Sequence, residues 1–277
     1  MRPSVLNHPK FSGFETYYSH HEDQVDCSIV KYRATDGGTH QELVDQVVVE
    51  ETIALVINEK YRINLQLSPS QLEYLSVGYL ICEGLIKSFD QVKRVECRDN
   101  DQIWIWTDSA EDFFYWTELR TSGCVGIKQQ TEKLDINIDS KLSITPATIF
   151  KAQEDLLEAS KLWRVTGAAH MSGLFDREGK MLHYAEDVGR HNTVDKVVGG
   201  AVIEGIDTTD TFMVTSGRLS AAMVTKAARA RVPVLISNSA PMIQAISIAE
   251  KTGMTLVAFA RKDVLNTYTR HERVVMD

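Results

Sequence analysis

The chain has 277 residues, 43% hydrophobic and 25% charged, a composition typical of a globular protein with one large or two medium domains. Its net charge of −8 argues against a general nucleic-acid-binding surface, although a local phosphate site needs only a few amides and cations. The sequence contains no bilayer-spanning apolar run, no signal-peptide core and no paired cysteine spacing, so we expect a cytoplasmic protein with reduced thiols and no membrane contact.

The N-terminal half predicts a strand-rich lobe. Its first forty residues are polar, and we expect them to be irregular. The runs 52–57 and 61–67 flank a short turn and predict a hairpin. A helix follows, with Ser68 as the predicted N-cap and Gln71 closing a capping box. Its apolar stripe ends at Cys82, which we expect in the core.

A cysteine with small neighbours follows a second strand-rich stretch, 103–107. Cys124 lies in the loop-like segment 121–126, where glycine on both sides leaves the sulfur open. Arg120 and Lys128 are close in sequence and would favour the thiolate, which is the nucleophilic form. These residues fit a reactive thiol, and they also fit an incidental loop cysteine.

The C-terminal half predicts an α/β lobe. The polar segment 131–143 predicts a linker between an N-terminal lobe, 1–143, and a C-terminal lobe, 144–277. Thr145 and Pro146 begin a helix whose apolar stripe runs through Ile149, Ala152, Leu156, Leu157 and Trp163. Strands are then predicted at 165–174, 180–184, 211–215, 232–236 and 255–259, and helices at 188–198, 219–230 and 241–251. This alternation favours a mostly parallel sheet with helices on both faces, so the whole chain is expected to be an α+β protein.

Three loops leave the carboxyl ends of these strands, where open α/β sheets bind ligands. They are 215–218, 237–240 and 260–263. Small hydroxyl residues and glycine allow close approach of a ligand, and Arg218, Arg261 and Lys262 favour an anion. We therefore expect phosphate or pyrophosphate to bind there, although serine and asparagine also cap helices without any ligand.

The segment 186–196 is dense in polar groups. Asp187 can cap the predicted helix, and His191 and Asp195 share one helix face. A capped helix with an internal ion pair fits this pattern, and so does a ligand contact through Arg190 or His191. His170, in an otherwise apolar strand, is equally ambiguous.

Together these segments resemble the FdhD family, the formate dehydrogenase accessory sulfurtransferases. The resemblance covers the chain from about Val47 onward. The segments that carry it are 72–80 with Glu83-Gly84, the Cys124 segment, Glu186-Asp187-Val188-Gly189-Arg190-His191 with Asp195-Lys196, Thr215-Ser216-Gly217-Arg218 and Tyr268-Thr269. The Glu-Asp-Val-Gly-Arg-His run is the most specific of them.

The resemblance implies that Cys124 takes sulfur from a cysteine desulfurase as a persulfide. The sulfur then passes to the molybdenum of a bis-molybdopterin guanine dinucleotide cofactor required by formate dehydrogenase. It also implies a homodimer, a second, three-layer lobe similar to the cytidine deaminase fold, and no metal ligated by the protein. The cofactor-binding segment of the family falls on Phe259, Ala260, Arg261, Lys262, Asp263 and Val264. Further candidates for the cofactor site are Ser216, Gly217, Arg218, Ser237, Arg190 and His191.

One departure from the family pattern bears on mechanism. The family commonly has a Cys-x-x-Cys loop, whereas here Ile127 stands where the second thiol would be. A single persulfide carrier needs only one thiol. A mechanism in which a neighbouring cysteine of the same loop attacks the persulfide lacks its second thiol here. Cys97 or Cys82 could substitute only if the fold brings one of them near.

Two alternatives to a sulfur carrier remain. A zinc deaminase would need a His-x-Glu or Cys-x-Glu element and a Pro-Cys-x-x-Cys element, but Met171 and Ser172 follow His170 and no cysteine occurs after Val198. The second alternative is a non-catalytic chaperone that binds the molybdenum cofactor while Cys124 carries no sulfur.

Overall fold

The computed structural model of the protein describes residues 8–34, 38–99, 101–108, 117–121, 124–128 and 135–276, with 117–121 and 124–128 described by their backbone alone. Within these residues no helix is long and apolar enough to cross a membrane. The N-terminal half contains β1 (Phe11–Ser12), α1 (Phe14–Tyr18), β2 (Gln24–Arg33), β3 (Thr39–Val48), β4 (Glu51–Ile57), β5 (Tyr61–Leu67), α2 (Leu72–Cys82), β6 (Val92–Arg98), β7 (Gln102–Thr107), β8 (Thr117–Thr121) and β9 (Cys124–Lys128).

The predicted hairpin is β4 and β5, within a five-stranded sheet of order β1-β6-β7-β4-β5. The predicted strand 103–107 is β7, which pairs with β4 in parallel. Ile53, Leu55 and Ile57 of β4 are buried in the same core as Cys82 at the end of α2, as predicted for that cysteine. The sheet therefore packs against the apolar face of α2.

The expectation that the first forty residues are irregular is wrong. β2 and β3 pair over ten residues each as an antiparallel ribbon. Most side chains of this ribbon are exposed on both faces. The sequence therefore lacks the one-sided apolar alternation by which a half-buried strand is recognised.

The predicted N-cap at Ser68 is also wrong. α2 begins at Leu72, after Gln71 in a left-handed conformation with φ of 53°. Ser68 is buried, its amide donates to the carboxylate of Asp187, and its hydroxyl accepts from the amide of Val188, each at 3.2 Å. Hydrogen bonds to the C-terminal half thus replace the local cap.

The C-terminal half contains α3 (Pro146–Ala159), α4 (Lys161–Thr166), β10 (His170–Asp176), β11 (Met181–Asp187), α5 (Arg190–Ile203), β12 (Thr211–Thr215), α6 (Ala221–Arg229), β13 (Val234–Ser237), α7 (Ile243–Thr252), β14 (Thr255–Arg261) and β15 (Val264–Thr269). α3 begins at Pro146 as predicted, and the Thr145 side chain caps it by accepting a hydrogen bond from the amide of Thr148. The described part of the predicted linker, 135–143, is not free, since Ile138 and Leu142 are buried.

The second sheet has six strands in the order β11-β10-β12-β13-β14-β15. β12, β13 and β14 are parallel, whereas β10, β11 and β15 run antiparallel to their neighbours. The prediction of a mostly parallel sheet is therefore wrong. α6 and α7 connect the parallel strands β12, β13 and β14, while the short turns before β11 and β15 return the chain antiparallel to itself.

Helices cover both faces of this sheet. α3 packs on one face, where Ile149 and Leu156 meet Phe212 and Val257. On the other face Met213 joins a core that includes α2, α5, α6 and the N-terminal sheet. The architecture is a mixed α/β one with several sheets, while the similarity to the cytidine deaminase fold and the division after residue 143 stay predictions.

Candidate functional site

The carboxyl ends of the three parallel strands share one cavity of about 300 Å³. β12 contributes Thr215, the loop after β13 contributes Asn238, and β14 contributes Arg261. This is the edge at which α/β sheets bind ligands. The volume is at the lower end of the range for small-molecule pockets. The cavity is therefore the candidate ligand site predicted from the strand-end loops.

The structure separates the predicted cofactor residues into two groups. Four of them line the cavity: Ser216, Ala260, Arg261 and Lys262. The remaining ones lie outside its lining: Phe259, Asp263, Val264, Gly217, Arg218, Ser237, Arg190 and His191. Among these, Phe259, Asp263, Val264 and Arg218 are exposed, whereas Gly217 and Ser237 are buried. The cationic part of the predicted segment thus faces the cavity.

The turn between β14 and β15 presents Arg261 and Lys262 to solvent at the cavity. Phe259 and Lys262 have positive φ angles of 53° and 54°, which residues with side chains seldom adopt. Nε of Arg261 donates to the carbonyl oxygen of Asn238 at 2.7 Å. This bond ties the turn to the loop after β13, and no described residue is shown to bond the other guanidinium nitrogens, which an anion could use.

Ser237 and Gly217 shape the loop after β12. The Ser237 hydroxyl donates to the carbonyl oxygen of Gly217 at 2.8 Å and accepts from the amide of Ser239 at 3.0 Å. A Cβ on Gly217 would lie 2.8 Å from the Cβ of Arg190, so only glycine lets Arg190 pack against this loop. Ser237 and Gly217 therefore fix the backbone of the loops around the cavity and do not line it themselves.

The opposite wall of the cavity comes from α3 and α4, for which no ligand contact is predicted from the sequence. Leu157 and Trp163, predicted on the buried stripe, are 42% and 37% exposed and line the cavity. Nε2 of Gln153 donates to the carbonyl oxygen of Ala260 at 2.9 Å, which joins the two walls. The other lining residues are Phe150, Glu154, Leu156, Met171 and Val214. Adjacent apolar residues at 156 and 157 make the stripe wider than one packed face requires, and this signal could have identified the wall.

Glu186 and Asp187 fix segments around the cavity. The Glu186 carboxylate accepts from the amides of Leu162 and Trp163, at 3.1 and 2.7 Å, and so holds the start of α4. Asp187 pairs with Lys196 of α5 at 2.7 Å, with both side chains fully buried. The Glu-Asp pair of the motif therefore positions α4 on one side and α5 on the other.

Asp195 of α5 forms its ion pair with another helix, whereas a pair within α5 is one of the two predictions for this segment. Both carboxylate oxygens of Asp195 accept from Nζ of Lys226 in α6, at 2.8 and 2.9 Å. Burial and the charge of Lys226 lower the pKa of His191 to about 3, so its imidazole is neutral. Among the described residues, no group of three or more His, Cys, Asp and Glu is placed to hold a metal ion.

Cys124 is the first residue of β9, and its backbone pairs with Thr121 of β8 in a hairpin. Most of the predicted loop is therefore strand. Residues 122 and 123 and the side chain of Cys124 lie outside the described part of the chain.

The cysteines considered as substitutes for the missing second thiol are poorly suited to that role. Cys82 is fully buried and Cys97 is half-buried. Burial raises the pKa of both thiols, that of Cys97 to about 11. Neither is a thiolate at neutral pH, and the thiolate is the reactive form. Cys27, on the ribbon, is exposed.

Comparison with known proteins gives a consistent result. The model of the FdhD/NarQ family matches residues 48–275. A sulfur carrier protein FdhD from Wolinella succinogenes is 33% identical over 264 residues, which cover 92% of this chain and 91% of that protein. Another from Methanothermobacter thermautotrophicus is 32% identical, covering 83% and 92%. The crystal structure of a formate dehydrogenase accessory protein from Desulfotalea psychrophila, 27% identical, has a TM-score of 0.77 and covers 92% of this chain and 100% of that chain.

Proposed function

Because the chain belongs to the FdhD/NarQ family, we propose that it is a sulfur carrier that serves the maturation of a formate dehydrogenase. The family resemblance inferred from its motifs is confirmed. The observation that carries the proposal is the similarity, along most of the chain, to relatives named as sulfur carrier proteins.

Cys124 is the proposed carrier residue. Its thiolate attacks the terminal sulfur of a persulfide on a cysteine desulfurase, a new S–S bond forms, and the desulfurase cysteine leaves as a thiolate. No oxidant is needed, because the transferred sulfur keeps its oxidation level. The raised pKa values of Cys82 and Cys97 support this choice, since they disfavour the nucleophilic form of both alternatives.

The proposed acceptor is the molybdenum of bis-molybdopterin guanine dinucleotide, which is a substrate of the transfer. The cavity supports this proposal by its size and chemistry. About 300 Å³ suits one guanosine end of such a cofactor. Arg261 and Lys262 would bind the diphosphate, and Trp163 offers an aromatic face to the base. The carboxylate of Glu154 can accept hydrogen bonds from the N–H groups of a guanine edge.

The function can be tested by maturing a formate dehydrogenase from cells that lack this protein. The inactive enzyme is incubated with a cysteine desulfurase, cysteine and either wild-type protein, Cys124→Ser or the matched control Cys27→Ser. We expect the wild type and Cys27→Ser to restore formate oxidation, and Cys124→Ser to fail. Full restoration by Cys124→Ser would contradict the carrier role and favour the non-catalytic cofactor chaperone.

A further inference from the structure

We propose that His170 is a positioning residue of the cavity: through Ser216 it presents a hydroxyl proton to an anionic ligand, and it takes up a proton when that ligand binds. The inference rests on the proposed function only in treating the cavity as an anion site. The ligand class is an oxyanion such as the phosphate groups of a nucleotide.

The geometry joins His170 to the cavity through one hydroxyl group. His170 is half-buried at the start of β10, and its Nδ1 lies 3.1 Å from Oγ of Ser216. Ser216 lines the cavity. The same Oγ accepts a hydrogen bond from the amide of Met171 at 3.1 Å. Two of the hydrogen-bonding positions of this hydroxyl are therefore used by β10, and the remaining one, for which the described residues show no partner, is left for a ligand.

The state of the imidazole decides what that remaining position offers. A serine hydroxyl has one proton and two acceptor lone pairs, and the Met171 amide uses one lone pair. If Nδ1 of His170 carries no proton, it accepts the Ser216 proton, and only a lone pair is left toward the cavity. If Nδ1 is protonated, it fills the second lone pair, and the Ser216 proton is left for a ligand. An anionic oxygen can bind only in the second case, which the charged imidazolium always provides and the neutral ring provides only as its Nδ1–H tautomer.

The charges around His170 make this state dependent on the ligand. Burial and Arg190 of α5 lower the pKa of His170, while Asp187 of β11 acts in the opposite direction. Asp187 is already paired with Lys196, and His191 of α5 is neutral near pH 7. Without a ligand, His170 is therefore mostly neutral at pH 7. An anion at Ser216 would offset the repulsion from Arg190, so binding would favour protonated His170.

Arg190 provides a second observation that points to an anion. Its Nε atom is buried and has no hydrogen-bond partner among the described residues. The side chain packs against Gly217, the residue after Ser216. A guanidinium with an unused donor beside a cavity-lining serine contributes a positive potential where an oxyanion would lie.

Proton linkage gives a sharp test with GDP as the probe. Titration calorimetry at about pH 7.5 and about pH 5.5 compares the wild type with His170→Asn, whose amide nitrogen can occupy the position of Nδ1 without titrating. The phosphates of GDP titrate equally in both experiments, so their effect cancels in the ratio of affinities. We expect the affinity of the wild type, relative to His170→Asn, to rise about fivefold from the higher to the lower pH.

The outcomes separate this inference from the sulfur-carrier function. Identical pH profiles for the two proteins would overturn the role of His170 and leave the function standing, because persulfide formation on Cys124 is measured without GDP. Proton-linked GDP binding with no persulfide on Cys124 would support the role of His170 and overturn the sulfur-carrier function. Failure of the wild type to bind GDP at either pH would overturn the cavity assignment and this inference together.

A direct titration covers the case in which His170→Asn does not fold. NMR of histidine-labelled wild-type protein follows the imidazole of His170 with and without GDP. We expect GDP to raise the pKa of His170 by about one unit, which limits the affinity change to about tenfold and gives about fivefold between the two pH values. An unchanged pKa at saturating GDP would overturn the proposal.

Discussion

Asp187 and Lys196 carry opposite charges at a position that water does not reach. The Asp187 carboxylate also accepts from the amide of Gly189 at 2.8 Å and from the side chain of Asn192 at 2.9 Å. Such a pair adds little net stability, but loss of one partner leaves an uncompensated buried charge. Both members of the pair also bond to Ser68 of the N-terminal half, at 3.2 and 3.1 Å, so the most specific run of the sequence is polar in part because it joins the two halves of the molecule.

At the same scale, His191 should make the protein sensitive to acid. Its pKa is about 3 in the folded protein, whereas an unfolded histidine titrates near 6.5. The unfolded chain binds more protons between these values, so the stabilising effect is complete above about pH 6.5 and is lost as the pH falls. From about pH 7 to about pH 5, we expect the wild type to lose about 2 kcal/mol more unfolding free energy than His191→Gln. Urea unfolding at both pH values measures this difference, and equal losses would refute it.

At the scale of elements, α2 and α5 touch through their backbones. A Cβ on Gly78 would lie 1.7 Å from the carbonyl oxygen of Asp195, and one on Gly199 would lie 1.9 Å from that of Tyr74. No rotamer change relieves such a contact, because the opposing atoms belong to the main chain. These two glycines therefore set the distance between the helices in the layer that both sheets share.

Gly199→Ala should accordingly be severe. We expect it to lower the free energy of unfolding by at least about 3 kcal/mol, because the helices must separate. The control is Gly205→Ala, where a Cβ meets open space and only the positive φ of 69° adds strain, on the order of 1 kcal/mol. Urea denaturation of both variants provides the comparison. A Gly199→Ala variant as stable as Gly205→Ala would show that the helices are not held this closely.

The elements predicted well from sequence are those whose signal is local. The strand 211–215 matches β12 because its residues are buried on both faces, with three apolar residues between two β-branched threonines. Thr145 caps α3 because the whole capping interaction lies within a few residues. The wrong cap at Ser68 and the unassigned β15 depend on partners distant in sequence or on an exposed hairpin, which local patterns do not encode.

The candidate site divides in the same way. Its strand-end loops could be predicted, because the topology of α/β sheets places ligands there whatever the sequence. For the wall that contains Trp163, the wide apolar stripe of α3 signals exposed apolar residues, but only the folded structure brings α4 beside β14 and shows what they face. The role of His170 depends on one contact to Ser216, a residue 46 positions away in sequence.

At the scale of the whole molecule, the two halves share one core. Residues of both sheets, such as Ile105 and Met213, belong to the same buried cluster around α2 and α5. The buried hydrogen bonds of Ser68 to Asp187 and Val188 also cross between the halves. We therefore expect the halves to unfold together, although their sheets are separate.

Tryptophan fluorescence can test this cooperativity. Trp163 lies in the C-terminal half, and the other three tryptophans precede it in the chain, two of them in β7. A variant that keeps only Trp163 reports on the C-terminal half, and the variant Trp163→Phe reports on the other tryptophans. For each variant, the urea midpoint from fluorescence is compared with the midpoint from circular dichroism of the same sample. We expect the two midpoints to coincide in both variants. Separate midpoints would show that the halves unfold independently.

The most direct test of the account is the mass of the intact protein after incubation with a cysteine desulfurase and cysteine. If Cys124 is the carrier, the wild type and the control Cys27→Ala gain the mass of one sulfur atom, dithiothreitol removes it, and Cys124→Ala gains none. A wild type that gains no sulfur, or a Cys124→Ala variant that gains as much as the wild type, would contradict the account.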